Sequence, residues 1–245
     1  MELAGPAAFT QRQYDIRFDW GESGVRALAL ETRVFVVVDV LSFSTCVAVA
    51  CARGATVLPY PWKDERVTEY ARRRGAVVAE PRDAGTASWS LSPETLTRIP
   101  SGTRLVLPSP NGSSLCLSAS AAGSVLAGCL RNASAVAARV AAIGGPIAVI
   151  AAGERWEDGS LRPALEDLIG AGAVIARLRG TVSPEAEAAV ASYELVAADL
   201  QKAIMECVSG RELVERGFEH DVRLAAELDA SPIAPVLRDQ EFRGV

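Results

Sequence analysis

Residues 34–41 read Val-Phe-Val-Val-Val-Asp-Val-Leu, an apolar run interrupted by a single carboxylate. A short apolar stretch rich in β-branched residues is a strand. Because it is apolar at odd and even positions alike, both faces are covered, which places it inside a sheet between two layers of helices. Asp39 stands near its carboxyl end, where an uncompensated charge costs several kcal/mol. The sequence therefore demands a cation, a set of donors or a helix cap beside it.

Working outward, further β-rich runs at 56–60, 76–79, 104–107, 124–127 and 147–151 alternate with Ala-rich helical stretches at 44–53, 63–74, 114–122, 133–142 and 162–178. This alternation predicts an α/β fold, a three-layer α/β/α sandwich with a mostly parallel, mixed-edge sheet. Residues 14–18 add an edge strand. After Gly180 the pattern predicts one long helix over 184–208, a short helix N-capped by Asp221, and a last edge strand at 234–237 behind Ser231-Pro232. Leu195, Ala198 and Ala203 lie along one face of the long helix, for packing on the core or for a homodimer surface. With no internal repeat and no low-complexity linker, residues 1–245 read as one domain. Gly170-Ala171-Gly172 lies mid-helix and reads as close helix packing.

Composition narrows the chemistry. Of 245 residues, 30 are acidic and 25 basic, and apart from Arg72-Arg73-Arg74 the basic ones are dispersed. That excludes an electrostatic footprint for nucleic acid or an anionic membrane. The arginine triplet precedes Gly75 and reads as the solvated C-terminus of a helix. No apolar run is long enough to span a bilayer and no signal-peptide pattern opens the chain, so a cytoplasmic location is expected. The five cysteines are scattered without a C-x-x-C pair, as buried small apolar residues are. There is one histidine, His220, no Walker sequence, and only Lys63 and Lys202 as lysines. Histidine-based nucleophile activation and ATP-type phosphate binding lack their residues.

In open α/β sheets ligands sit beyond the carboxyl ends of the strands, where the next helices present free N–H groups. Reading the residues there gives Asp39 with Ser42, Ser44 and Thr45; Glu80 and Arg82; Ser109, Asn111, Gly112 and Ser113; Arg131 and Asn132; and Gly153, Glu154 and Arg155. Ser44 and Thr45 open a helix, as N-caps or as phosphate donors. Gly112 permits close approach of backbone to an anion, or simply a turn. Glu166 and Asp167 lie early in a helix, so further carboxylates can meet Asp39. An oxygen-only donor set of Asp39, Glu154 and Asp167 favours Mg²⁺.

These segments, in order, resemble the 2-phosphosulfolactate phosphatase family. The likeness runs through Val38-Asp39-Val40-Leu41 with Ser44-Thr45, Glu80 to Leu91-Ser92-Pro93, Asn111-Gly112-Ser113, Asn132-Ala133, Gly153-Glu154, Leu165-Glu166-Asp167 with Ala171-Gly172, and Gly217, Asp221, Ala225 and Leu228-Asp229. The resemblance implies a Mg²⁺-dependent phosphatase that converts 2-phosphosulfolactate to sulfolactate and phosphate. Asp39, Ser44, Thr45 and Asn111 would be its catalytic residues, and Gly112, Ser113, Asn132, Arg131 and Arg155 would hold the substrate. Two departures stand out. Ser42-Phe43 replaces the family's arginine and small residue after Asp-Val-Leu, and the arginine of its Gly-Glu-Arg moves one position, to Arg82. They leave open a phosphatase for another phosphorylated hydroxy acid, or a non-catalytic protein that binds anionic metabolites.

Overall fold

The computed structural model describes residues 7–61, 64–84 and 88–245. Ahead of the central run lie β1 (Ile16–Trp20) and α1 (Gly21–Leu28), and the run itself is β2 (Val34–Val38), buried at every position. Val34, Val36 and Val38 enter one core while Phe35 and Val37 enter another on the opposite face, the period-two alternation of a pleated strand. Burying each such side chain contributes about 1.5–3 kcal/mol. The strand as a whole therefore outweighs the cost of desolvating the carboxylate at its end.

Beyond β2 the chain runs through α2 (Phe43–Ala52), β3 (Thr56–Tyr60), α3 (Arg66–Arg74), β4 (Val77–Val78), α4 (Pro93–Leu96) and β5 (Arg104–Pro108). It continues through α5 (Gly112–Ala119), β6 (Ser124–Gly128), α6 (Ala133–Ile143) and β7 (Ile147–Ala151), then a small hairpin, β8 (Glu154–Arg155) with β9 (Leu161–Arg162). The remainder is α7 (Leu165–Ile175), α8 (Pro184–Val196), α9 (Leu200–Glu206), α10 (Val208–Glu215), α11 (Glu219–Ala225), β10 (Pro235–Arg238) and β11 (Glu241–Gly244).

Nine strands form one sheet in the order β1-β7-β2-β6-β10-β11-β3-β5-β4. β1, β7, β2 and β6 are mutually parallel, as are β3, β5 and β4. Three antiparallel pairings lie between the two blocks. The α/β sandwich is therefore as expected, with helices on both faces, but its antiparallel part is central. The strand at 234–237 is not an edge: it is β10, hairpinned to β11 and inserted between β6 and β3. Pro235 is tolerated because it pairs with Gly244 at the open end of the hairpin, while only Val236 and Leu237 pair with β6.

Residues 14–18 do mark an edge strand, found two residues later as β1. The expected helix at 63–74 is found from Arg66, and its start at Lys63 lies outside the described residues. Arg72, Arg73 and Arg74 close α3 as a solvated end before Gly75. The stretch at 162–178 begins as a strand instead, because Asp158-Gly159, a hairpin turn signal, folds residues 154–155 against 161–162. The long helix over 184–208 is broken twice, by a 3₁₀ turn at Ala197–Asp199 and by extended Cys207, whose sulfur accepts the Gly210 amide to start α10. The breaks turn Leu200, Ile204 and Leu213 into the core. Leu195 and Ala198 stay exposed. Asp221 does not cap α11; it lies inside its first turn, buried. Ala171 and the two glycines beside it do serve close packing: a Cβ on Gly172 would sit 2.0 Å from the Ala189 carbonyl oxygen. All five cysteines are buried and free. Among the described residues, no helix is long and apolar enough to cross a membrane.

Candidate functional site

A cavity of about 1190 Å³ opens where chain segments leave β2, β3, β4, β5 and β7, and Asp39, Ser42, Asp64, Glu80, Arg82, Ser109, Asn111, Glu154 and Arg155 line it. β2 delivers Asp39, a side chain only 8% exposed. Its Oδ1 accepts the Phe43 amide at 2.9 Å, while the Gly112 amide donates to Ser109 Oγ at 3.2 Å. Burial pushes the Asp39 pKa up to about 6; the Phe43 amide opposes this and the charge of Glu166 reinforces it. β7 delivers Glu154, pushed up to about 7 by burial and then by the charges of Asp39 and Glu166.

One carboxylate fixes both loops. Asp167 Oδ1 accepts the Val40 amide at 2.7 Å and its Oδ2 accepts the Gly153 amide at 2.8 Å, the residues next to Asp39 and Glu154. Burial, followed by the charges of Glu166 and Asp39, holds Asp167 well above the usual carboxylate range. Asp167 lies behind the cavity wall with both oxygens engaged, instead of facing the cavity as a free ligand. Glu166 is buried beside it and accepts the Cys207 thiol.

Two serines secure the strand-to-helix turns. Ser44 Oγ donates to Val37 O at 3.0 Å and Ser113 Oγ to Leu107 O at 3.0 Å, each hydroxyl reaching back to the strand just left. Thr45 Oγ1 donates to Val40 O. These three hydroxyls are fully buried, so they hold Asp39 and Asn111 in place and do not line the cavity. The first amides of α2 are taken by Asp39 and Ser42: Phe43 N to Asp39 Oδ1, Ser44 N to Asp39 O and Cys46 N to Ser42 O. Gly112 is needed for contact. A Cβ there would lie 2.3 Å from Phe43 Cδ1 and 2.7 Å from Asp39 Oδ2. Asn111 does face the cavity, donating through Nδ2 to Glu154 Oε2 at 3.0 Å and accepting Arg155 Nε at 3.2 Å.

Arg131 and Asn132 are not brought to the cavity. Asn132 is buried, donating to Ala127 O and Ile233 O and accepting the Cys129 amide. Arg131 donates to Leu224 O and pairs with Glu227. The central hairpin lies beside β6, so the segments around it cover this loop.

The cationic wall of the site comes instead from Arg82. Its Nη2 donates to Ser42 Oγ at 2.8 Å and to Leu91 O, while Nη1 meets Asp221 Oδ2 at 2.8 Å. Asp221 Oδ1 in turn accepts Ser92 Oγ at 2.7 Å and the Glu94 amide at 3.0 Å. Burial nonetheless keeps the Asp221 pKa above the ordinary value. Arg82 lies close enough to lower the pKa of Asp39. Arg162 and Ser209 also line the cavity, and sequence reading missed them. The signal was the Asp158-Gly159 turn, which sets Arg162 opposite Glu154.

Among the described residues, no three carboxylate, thiol or imidazole groups stand together as a metal cage. The donor chemistry nevertheless fits a hard cation. Burial raises the pKa of both cavity-facing carboxylates and the charge of Asp39 raises that of Glu154 further, and Mg²⁺ is commonly held by one or two carboxylates with the remaining positions left to water and phosphate oxygens. Charge of both signs thus converges on one space: acids on the β2 and β7 side, guanidinium on the β4 side.

The chain also resembles known proteins along most of its length. A family model described as 2-phosphosulpholactate phosphatase matches residues 23–240. A 2-phosphosulfolactate phosphatase of Methanothermobacter thermautotrophicus is 30% identical over 205 residues, covering 83% of this chain and 86% of its own. A probable 2-phosphosulfolactate phosphatase of Carboxydothermus hydrogenoformans is 28% identical over 225 residues, covering 87% and 90%.

Proposed function

The chain belongs to the 2-phosphosulpholactate phosphatase family, and from that premise we propose that it is a Mg²⁺-dependent phosphatase that hydrolyses 2-phosphosulfolactate to sulfolactate and inorganic phosphate. The observation that carries the reading is the convergence of Asp39 and Glu154 on one cavity with Arg82 alongside. Asp39 and Glu154 would hold Mg²⁺, whose chemistry there is to neutralise charge on the phosphate oxygens as the ester P–O bond breaks.

The chain's own groups account for the rest. Arg82 offers guanidinium N–H donors to the phosphoryl oxygens from the opposite wall, held there by Asp221 and Ser42. Asn111 bridges Glu154 and Arg155, fixing both at the cavity rim. Asp167 keeps the Asp39 and Glu154 loops at constant separation, so the acids are preorganised before substrate arrives. The attacking oxygen comes either from Asp39, forming an acyl-phosphate that water then hydrolyses, or from water directly.

The test is phosphate release from a panel of phosphorylated hydroxy acids, with Mg²⁺ and with chelator. Turnover of 2-phosphosulfolactate that needs the cation and is abolished by Asp39→Asn is the expected result. Binding without release overturns the enzymatic reading, and faster release from another acid replaces the substrate. Acid-quenched trapping of a phosphorylated Asp39 peptide separates the two routes, since a phospho-enzyme forms only if Asp39 attacks, and a substrate chiral at phosphorus gives retention by two displacements but inversion by direct attack of water.

A further inference from the structure

We infer that Arg162 is the specificity-determining residue of the cavity, recognising a second oxyanion, sulfonate or carboxylate, on the carbon skeleton that bears the phosphate; this rests on the phosphatase reading above. Four arginines line the cavity: Arg82, Arg155, Arg162 and Arg216. Arg82 is paired with Asp221, and Arg216 with Asp83 and Glu212. Among the described residues, neither Arg155 nor Arg162 makes a direct ion pair with a carboxylate.

The two unpaired guanidiniums differ in setting. Arg155 is exposed and engaged, donating to Asn111 Oδ1 at 3.2 Å and to Gly159 O at 3.1 Å. Arg162 is half-buried and less committed. One nitrogen donates to Ser209 Oγ at 3.2 Å, and its guanidinium carbon lies 5.8 Å from the centre of the Trp156 ring. Hydroxyl and indole hold the plane of the fork, and Glu154, near enough for Arg162 to lower its pKa, makes no direct ion pair with it. Most of its five N–H donors are left for an oxyanion.

Position within the hairpin gives the reason for specificity. Glu154 and Arg162 are directly opposed across β8 and β9, so their side chains share a face at neighbouring positions. A substrate whose phosphate is held near Asp39 and Glu154 therefore presents its adjoining acidic group to Arg162. The family's substrate has such groups: its three-carbon skeleton carries a carboxylate and a sulfonate beside the phosphate ester. A monoester lacking a second acid leaves Arg162 without its partner.

Calorimetric titration of the whole protein with sulfolactate, lactate, isethionate and inorganic phosphate tests this, comparing wild type with Arg162→Met and Arg162→Lys. In Arg162→Met, sulfolactate affinity falls about 10–100-fold, the loss of a charge-assisted contact, while phosphate affinity is unchanged. Arg162→Lys recovers part of the loss. Loss confined to isethionate identifies the sulfonate as the group recognised, and loss confined to lactate identifies the carboxylate. In turnover the same variant raises KM for 2-phosphosulfolactate far more than it lowers kcat. Equal weakening of phosphate and sulfolactate, no weakening of either, or failure of the wild type to bind sulfolactate overturns the inference. Arg162-dependent sulfolactate binding without phosphate release instead overturns the phosphatase reading and leaves the subsite standing.

Discussion

Arg82 and Asp221, 139 residues apart in the chain, meet at 2.8 Å with side chains 11% and 1% exposed. The pair joins the β4 side of the cavity to the helices that follow β7. Asp221→Ala strands a mostly buried guanidinium and removes the acceptor for Ser92 and the Glu94 amide. A destabilisation of about 3–5 kcal/mol is expected, as for other broken buried pairs. Denaturant unfolding measures it, and kcat/KM falls with it as Arg82 loses its anchor. A variant as stable and as active as wild type would sink the assignment of Arg82 to the phosphate wall.

Asp167→Asn tests the tether between the Asp39 and Glu154 loops. An amide side chain offers one acceptor where the carboxylate satisfies two backbone N–H groups, so either Val40 N or Gly153 N is left facing a donor. One unsatisfied buried group costs about 1–3 kcal/mol. The folded variant is expected to lose activity more than stability, because Asp39 and Glu154 no longer hold a fixed separation. Retained turnover together with lowered stability would reduce Asp167 to a merely structural residue.

The pH dependence of the cation-free protein follows from the two raised carboxyls. Asp39 and Glu154 titrate near 6 and 7 when folded, against 3.8 and 4.5 as their ordinary values. Over that window the folded state keeps protons that the unfolded chain has released, so stability falls as pH rises. Asp167 and Asp221 shift in the same direction. Carboxyls with lowered values, such as Glu69 at about 2, act at more acidic pH and do not cancel the effect. In chelator, Tm is therefore expected to be higher at about pH 5 than at about pH 7.5. Mg²⁺ added at the higher pH restores stability by binding the ionised pair, and Glu154→Gln flattens the profile. A Tm that climbs through the same window contradicts the site's electrostatics.

Gly112→Ala places a methyl group inside contact distance of both Phe43 and Asp39. Phe43 belongs to the packed core, so the backbone of the Asn111 turn must shift. Overpacking of this kind costs about 1–3 kcal/mol. A fall in kcat beyond the loss of folded protein is the result to look for. Full activity would mean that the turn has slack which the close contacts do not suggest.

Ser42→Arg installs the residue that the family pattern carries at that position. In this chain Ser42 Oγ already receives Arg82, so the new guanidinium meets a like charge in a confined space, which is costly. The single variant is expected to lose kcat/KM, and Ser42→Arg combined with Arg82→Ser to recover it. If the single variant alone improves turnover, the two positions are not alternatives for one role.

Much of this is legible in the amino-acid sequence alone. The run at 34–38 announces a doubly covered strand because its five residues are β-branched or aromatic and apolar at odd and even positions alike, and the strand-end rule then finds Asp39, Asn111 and Glu154. The role of Asp167 was not legible. A sequence shows an acid in the first turn of a helix, but not that its two oxygens reach amides 127 and 14 residues away. Arg131 and Asn132 satisfied the same strand-end rule and still miss the cavity, because the rule assumes an open edge where the inserted hairpin lies. That hairpin was itself hidden, because Ser231-Pro232 ahead of 234–237 reads as the approach to an edge strand, whereas the strand pairs on both sides, with β11 and with β6.

The placement of β10 and β11 also sets an order on the protein's birth. Residues 235–244 leave the ribosome after every other strand of the sheet, yet they form its middle. Until they emerge, β6 and β3 present bare hydrogen-bonding edges of the kind that recruits other chains. The β2 block that carries Asp39 and the β4 side that carries Arg82 have no sheet pairing between them. The nascent protein is therefore exposed to misassembly until the hairpin closes.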